Sequence, residues 1–181
     1  MKYLTLALYL GLATIANAEP AAWSDLRQGD MRKLVFHDTP RAVTDATFTT
    51  PDGAERQLSD YAGKWTLVNF WALWCAPCRE EMPALDTLNA EMGGEDFEVV
   101  TIAVWRNALP AIEDFFAEHE IETLPILLDP DRSVSSAMGV LAMPITVLLN
   151  PEGQEVARMT GDADWAGDDA RTLLRGVMSG G

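Results

Sequence analysis

Cysteine is almost absent from this chain: Cys75 and Cys78 are the only two among 181 residues. Both lie in one Cys-Ala-Pro-Cys stretch, so none is left to staple the fold elsewhere, and the core must hold by packing. Histidine is equally scarce, with only His37 and His119. A structural zinc site needs four ligands in paired spacings, and one Cys-x-x-Cys with two distant histidines does not supply them. Basic residues are few, 13 Lys and Arg against 28 Asp and Glu, for a formal net charge of −15. Such a surface disfavours nucleic acid and anionic membranes. It serves solubility, or attraction toward basic partners.

An apolar run occupies residues 3–15. At about 13 residues it falls short of the roughly 20 that a membrane-crossing helix needs. Lys2 before it and Ala16-Asn17-Ala18 after it complete the pattern of a cleaved signal peptide over residues 1–18. No cysteine follows the run, which argues against lipoprotein processing. The expectation is a soluble exported protein beginning near Glu19, with a bacterial periplasm as its compartment.

Three regions are expected: the signal peptide, an N-terminal extension over 19–42, and one domain over 43–181. Pro51-Asp52-Gly53 reads as the turn of a hairpin within 48–58. Strands are expected at 65–71, 97–104, 124–128, 145–149 and 155–159. Helices are expected at 75–92, 109–120, 133–138 and 165–178. Pro83 lies inside the first helix and should kink it. Pro110 is tolerated in the first turn of the second. Ile112, Phe115 and Phe116 form the buried stripe of that second helix. This alternation predicts an α/β domain with a central sheet.

The chemistry centres on Cys75-Ala76-Pro77-Cys78, at a strand-to-helix junction. Unpaired N–H groups and the helix dipole there favour a thiolate at the first sulfur, and thiolate is the nucleophile of disulfide exchange. A structural disulfide across two residues closes a very small loop, worth about 2 kcal/mol at most. The redox reading is therefore preferred over an inert staple or a metal site.

The run Asn69-Phe70-Trp71-Ala72-Leu73-Trp74-Cys75-Ala76-Pro77-Cys78-Arg79-Glu80-Glu81-Met82-Pro83 resembles the periplasmic TlpA/ResA/DsbE group of thioredoxin-fold proteins. Leu127-Leu128-Asp129-Pro130-Asp131 and the segment 139–153, with Met143-Pro144-Ile145-Thr146, support the resemblance, which covers about residues 44–178. It implies a thioredoxin-like fold, a central mixed sheet flanked by helices. An inserted helix-strand unit at 108–128 would bear on partner choice. It also implies a cis Met143–Pro144 bond beside the cysteines, with the Met143 backbone pairing to an extended partner segment.

The chain departs from that group at three places. Asn69 stands where thioredoxins carry a buried acid. Trp105-Arg106-Asn107 brings no acid where several relatives have a Glu, so no acceptor is evident for the Cys78 proton. Ile145 follows the cis proline where cytochrome-maturation proteins often have an acidic residue, which argues against a role dedicated to cytochrome c.

The resulting expectation is a protein-disulfide reductase with no cofactor and no metal. Cys75 attacks and Cys78 resolves. Trp74, Pro77, Met143 and Pro144 face the substrate; Trp71 is assigned to the core. Protein disulfides are the substrates, in cytochrome c maturation or in assembly of the cytochrome oxidase copper site. A membrane donor of the DsbD or CcdA type would re-reduce the protein, and a monomer is expected. Three alternatives stay open: a dithiol oxidase, a peroxiredoxin and a copper-binding module. The peroxiredoxin reading lacks the Thr-x-x-Cys signature. The copper module would use Met138, Met143 and Met159 as soft ligands, although methionines more commonly fill core gaps.

Overall fold

The computed structural model describes residues 23–180. The expected signal peptide and the first residues of the expected extension lie outside that range.

Among the described residues, eight strands build one mixed sheet: β1 (Val35–Ala42), β2 (Phe48–Thr49), β3 (Glu55–Arg56), β4 (Trp65–Trp71), β5 (Phe97–Val104), β6 (Leu127–Asp129), β7 (Ile145–Leu149) and β8 (Gln154–Thr160). Their spatial order is β1-β8-β7-β4-β5-β6-β2-β3. Strands β4, β5 and β6 run parallel, while β7 and β8 pair antiparallel on the other side of β4. Among the described residues, helices α1 (Ala76–Met92), α2 (Leu109–Glu118), α3 (Ser133–Ala137) and α4 (Asp168–Met178) cover the faces. The expected α/β, thioredoxin-like architecture is what the chain adopts.

Strand β4 is central because both of its faces are apolar. Leu67 and Trp71 enter one core, and Val68 and Phe70 enter the other. A strand buried on both sides reads as a continuous hydrophobic run, not an alternating one. Helix α1 buries Cys78, Glu81, Met82, Leu85 and Leu88, the three-and-four spacing of one helical face. Fully burying each such leucine contributes about 2 kcal/mol. On α2, Phe115 and Phe116 meet Trp71 with ring centroids 5.7 and 5.9 Å away, which docks the inserted unit onto the end of β4.

Several elements differ from expectation. Residues 35–42, inside the expected extension, form edge strand β1 and pair antiparallel with β8. The join is reinforced by Glu155, whose side chain is 4% exposed and lies 2.7 Å from both His37 Nε2 and an Arg158 guanidinium nitrogen. The strand expected at 124–128 occupies Leu127–Asp129 instead. The N–H groups of Thr123 and Leu124 are drawn to Asp86 Oδ1, at 2.7 and 3.2 Å, and cannot join the sheet. Helix α1 runs through Pro83 over the span expected for it. Helix α2 stops at Glu118, and two residues later Glu120 takes a left-handed φ of 53°. The last helix begins at Asp168, not 165, because Trp165 turns fully into the core.

Candidate active site

Strand β4 ends at Trp71, and the next four residues turn the chain into α1. Cys75 is the N-cap of that helix. The Cys78 N–H donates to Cys75 Sγ at 3.3 Å, so a helix N-terminal donor points at the sulfur expected to carry charge. Pro77, in the first turn, contributes no N–H of its own. The two cysteines are joined in a disulfide. They are unequal: Cys75 is 7% exposed and Cys78 is completely buried.

Cys75 opens onto a groove of about 500 Å³ walled by Trp74, Trp105, Arg132, Leu141 and Met143. Trp74 is more than half exposed and meets Trp105 edge-on, with centroids 6.4 Å apart. Leu141 projects almost fully into solvent. Large apolar side chains clustered in the open mark an interaction surface, in a way that scattered ones do not. Met143–Pro144 is cis and lies beside the groove. Among the described residues, no hydrogen bond engages the Met143 backbone. Trp71 is core, and His119 lies on the surface after α2. Trp74, Cys75, Pro77 and Met143 thus converge on one groove. Cys78 and Pro144 sit behind it, away from solvent.

Behind Cys78 lies a group that the sequence reading missed. Glu81, three residues further along α1, is buried. Asn69 Nδ2 donates to its Oε1 at 2.8 Å, and Trp165 Nε1 and the Ala163 N–H donate to its Oε2 at 3.0 and 3.2 Å. Burial drives its carboxyl up from 4.5 to about 7, against the pull of those donors. Asn69 Nδ2 also reaches Thr146 Oγ1 at 2.9 Å, which ties β4 to β7 under the site. The helical period is the one local signal for Glu81, because positions i and i+3 share a face and place it with Cys78.

Asn107, a position without the acid that several relatives carry, has a structural role of its own. Its Oδ1 accepts from the Leu73 N–H at 2.8 Å, and its Nδ2 donates to the carbonyls of Val104 and Trp105 at 2.8 and 3.0 Å. The side chain therefore fastens the turn bearing Trp105 to the loop bearing Trp74. Among the described residues, no group of three or more His, Cys, Asp or Glu could hold a metal ion. The methionines separate: Met159 and Met138 are buried in different cores, and Met143 lines the groove.

Known proteins resemble this chain in sequence and in fold. The model of the AhpC/TSA family matches residues 40–157. The thiol-disulfide oxidoreductase ResA of Bacillus subtilis is 33% identical over 148 residues, which span 82% of this chain and 75% of that protein. The thioredoxin-like protein YneN of the same organism is 34% identical over 146 residues, 79% of this chain and 83% of the relative. Among solved structures, the exposed lipoprotein thioredoxin Etrx1 of Streptococcus pneumoniae superposes with a TM-score of 0.60 at 28% identity, over 73% of this chain and 99% of that one. A thioredoxin-family thiol:disulfide interchange protein from Chlorobium tepidum superposes with a TM-score of 0.62 at 23% identity, over 78% and 99%, a likeness of fold.

Proposed function

We propose, from the premise that the chain belongs to the AhpC/TSA family and is a thioredoxin-like thiol-disulfide oxidoreductase, that it is an exported reductase of disulfides in partner proteins. The observation carrying this reading is the asymmetry of the cysteine pair. Cys75 opens onto an apolar groove while Cys78 is sealed behind it, so a partner sulfur can approach only the first.

In the reduced protein the Cys75 thiolate attacks a partner disulfide along the S–S axis. A mixed disulfide forms and one partner thiolate leaves. Cys78 then attacks Cys75 Sγ and releases the second partner thiolate, so two electrons pass from the dithiol to the partner. Cys78 must lose its proton in a dry site. Glu81 is the acceptor we assign, a carboxyl one helical turn away whose pKa near 7 matches that task. The partner segment lies extended along Met143, whose unengaged backbone supports strand addition.

The leader over residues 1–18 directs export to a periplasm, where a membrane donor of the DsbD or CcdA type restores the dithiol. The protein acts as a monomer on substrates of cytochrome c maturation or cytochrome oxidase copper-site assembly. We assign residues 43–181 to the catalytic domain, with residues 19–42 lending it β1 as an edge strand.

The test is a Cys78→Ser variant produced in cells. It should accumulate protein adducts on a non-reducing gel, which vanish with dithiothreitol and in the Cys75→Ser, Cys78→Ser double variant. Absence of adducts from Cys78→Ser would contradict exchange through Cys75.

A further inference from the structure

Among the described residues, two of the three non-glycine residues with left-handed backbone, Trp105 at φ 61° and Arg132 at φ 59°, line the groove beside Cys75. That conformation is unfavourable for an aromatic or long side chain and persists only where surrounding contacts impose it. Here one group holds both residues. The carbonyl of buried Asp129 accepts from the Trp105 N–H at 2.9 Å and from the Arg132 N–H at 3.2 Å. The Asp129 carboxylate in turn accepts from Val134 and Ser135 at the start of α3, at 3.3 and 2.8 Å. Asn107 fixes the Trp105 turn from the other side.

The two side chains set the chemistry of the groove. Arg132 is exposed, and its guanidinium has no ion-pair or hydrogen-bond partner among the described residues. Arg106 lies over the Trp105 ring, 4.1 Å from its centroid, adding a second cation at that edge. No Asp or Glu lines the groove, although acids outnumber bases 28 to 13 in the chain. An acidic protein that presents an unpaired arginine in an acid-free groove beside its reactive sulfur is complementary to a local negative charge.

We propose that Arg132, with the Trp74–Trp105 wall, is a specificity subsite selecting disulfide-bonded segments that carry Asp or Glu next to the half-cystine attacked by Cys75. The apolar wall takes the neighbouring side chain, and Arg132 takes the carboxylate. The proposal rests on the reductase reading and adds to it the substrate class. It concerns contact range only. At about 0.15 M ionic strength the screening length is roughly 8 Å, so the net charge of the remote surface is largely damped within the groove.

The test uses protein reduced with dithiothreitol, freed of reductant, and mixed with short peptides that each hold one internal disulfide. The peptides differ only in Glu, Gln or Lys beside the first cysteine. Two electrons pass from the Cys75–Cys78 dithiol to the peptide cystine, and the initial rate gives kcat/KM or the second-order constant. The wild type should prefer Glu over Lys by about tenfold, with Gln between, the size expected of one close charge pair. Arg132→Gln should bring the ratio near one, and Arg132→Glu should reverse it. A reversal of ratio cannot come from general damage to the fold, which would slow all three peptides together. Equal wild-type rates, or a preference that survives Arg132→Glu, would overturn the subsite and leave the reductase reading standing. Failure of the wild type to reduce any of the peptides would bring down both.

Discussion

Asn69 on the central strand donates from Nδ2 to Oε1 of Glu81 on the active-site helix, at 2.8 Å. Where thioredoxins place an acid on the strand, this chain places an amide there and moves the acid to the helix, one turn beyond Cys78. The carboxyl is held by three donors yet buried deeply enough that its pKa rises to about 7.

That rise has a stability consequence. Glu81 binds its proton more tightly in the folded chain than in the unfolded one, whose carboxyl titrates near 4.5. Its favourable contribution is therefore complete below about pH 4.5 and is lost as pH rises toward 7, a change of about 3 kcal/mol. Urea unfolding of the oxidised protein at pH 5 and pH 8 should show the wild type losing about 2–3 kcal/mol relative to Glu81→Gln. Parallel stabilities for the two proteins would contradict a buried carboxyl titrating in that window. The same substitution should also remove a pH dependence near 7 from the resolution of mixed disulfides.

Strands β4 and β5 were legible because each is a long apolar run feeding a parallel sheet, and the cysteine pair because no other cysteines compete for attention. Edge strand β1 was not. Its sequence Val-Phe-His-Asp-Thr-Pro-Arg-Ala is mostly exposed, contains Pro40, and has an irregular register between Phe36 and Arg41. Only a partner more than a hundred residues away makes it a strand. Glu81 was hidden for a related reason. The period of α1 places it on the buried face, but the indole that makes burial tolerable belongs to Trp165, 84 residues later. The turn at Trp105 depends on Asn107 and Asp129, and no propensity predicts a left-handed tryptophan.

The junction of β1 with β8 is open to a second test. Burial alone would raise the Glu155 carboxyl. The hydrogen bonds and charges of Arg158 and His37 outweigh it and hold the carboxyl below the ordinary carboxylate range. Its stabilisation is thus present above about pH 4.5 and lost as pH falls through the lowered value. Glu155→Gln should cost about 1–3 kcal/mol at pH 7, with Arg158 partly open to solvent keeping the loss below that of a fully buried pair. Circular dichroism during acid titration should show that the gap between wild type and variant closes as the wild-type group protonates. A gap that stays constant down to pH 2 would contradict the ion-pair account.

Asn107 offers a third. Asn107→Asp keeps the acceptor for the Leu73 N–H but replaces the donor that serves Val104 and Trp105 with a second acceptor. Leaving two carbonyls facing a carboxylate should destabilise the oxidised protein by about 1–3 kcal/mol. It should also slow exchange with peptide disulfides more than exchange with a small uncharged disulfide, because the groove wall shifts while the cysteines stay in place. Equal slowing of both would place the effect at the cysteines and not at the wall.

The reductase assignment itself rests on the direction in which electrons leave the Cys75–Cys78 pair. The most direct measurement is its reduction potential, set by equilibration against glutathione or dithiothreitol buffers and read from the fluorescence of the adjacent Trp74. The account predicts a value near that of thioredoxin, roughly −270 mV, at which the dithiol gives up electrons and depends on a donor for renewal. A value near roughly −120 mV, that of the strong oxidant DsbA, would make the protein an oxidase and contradict the account.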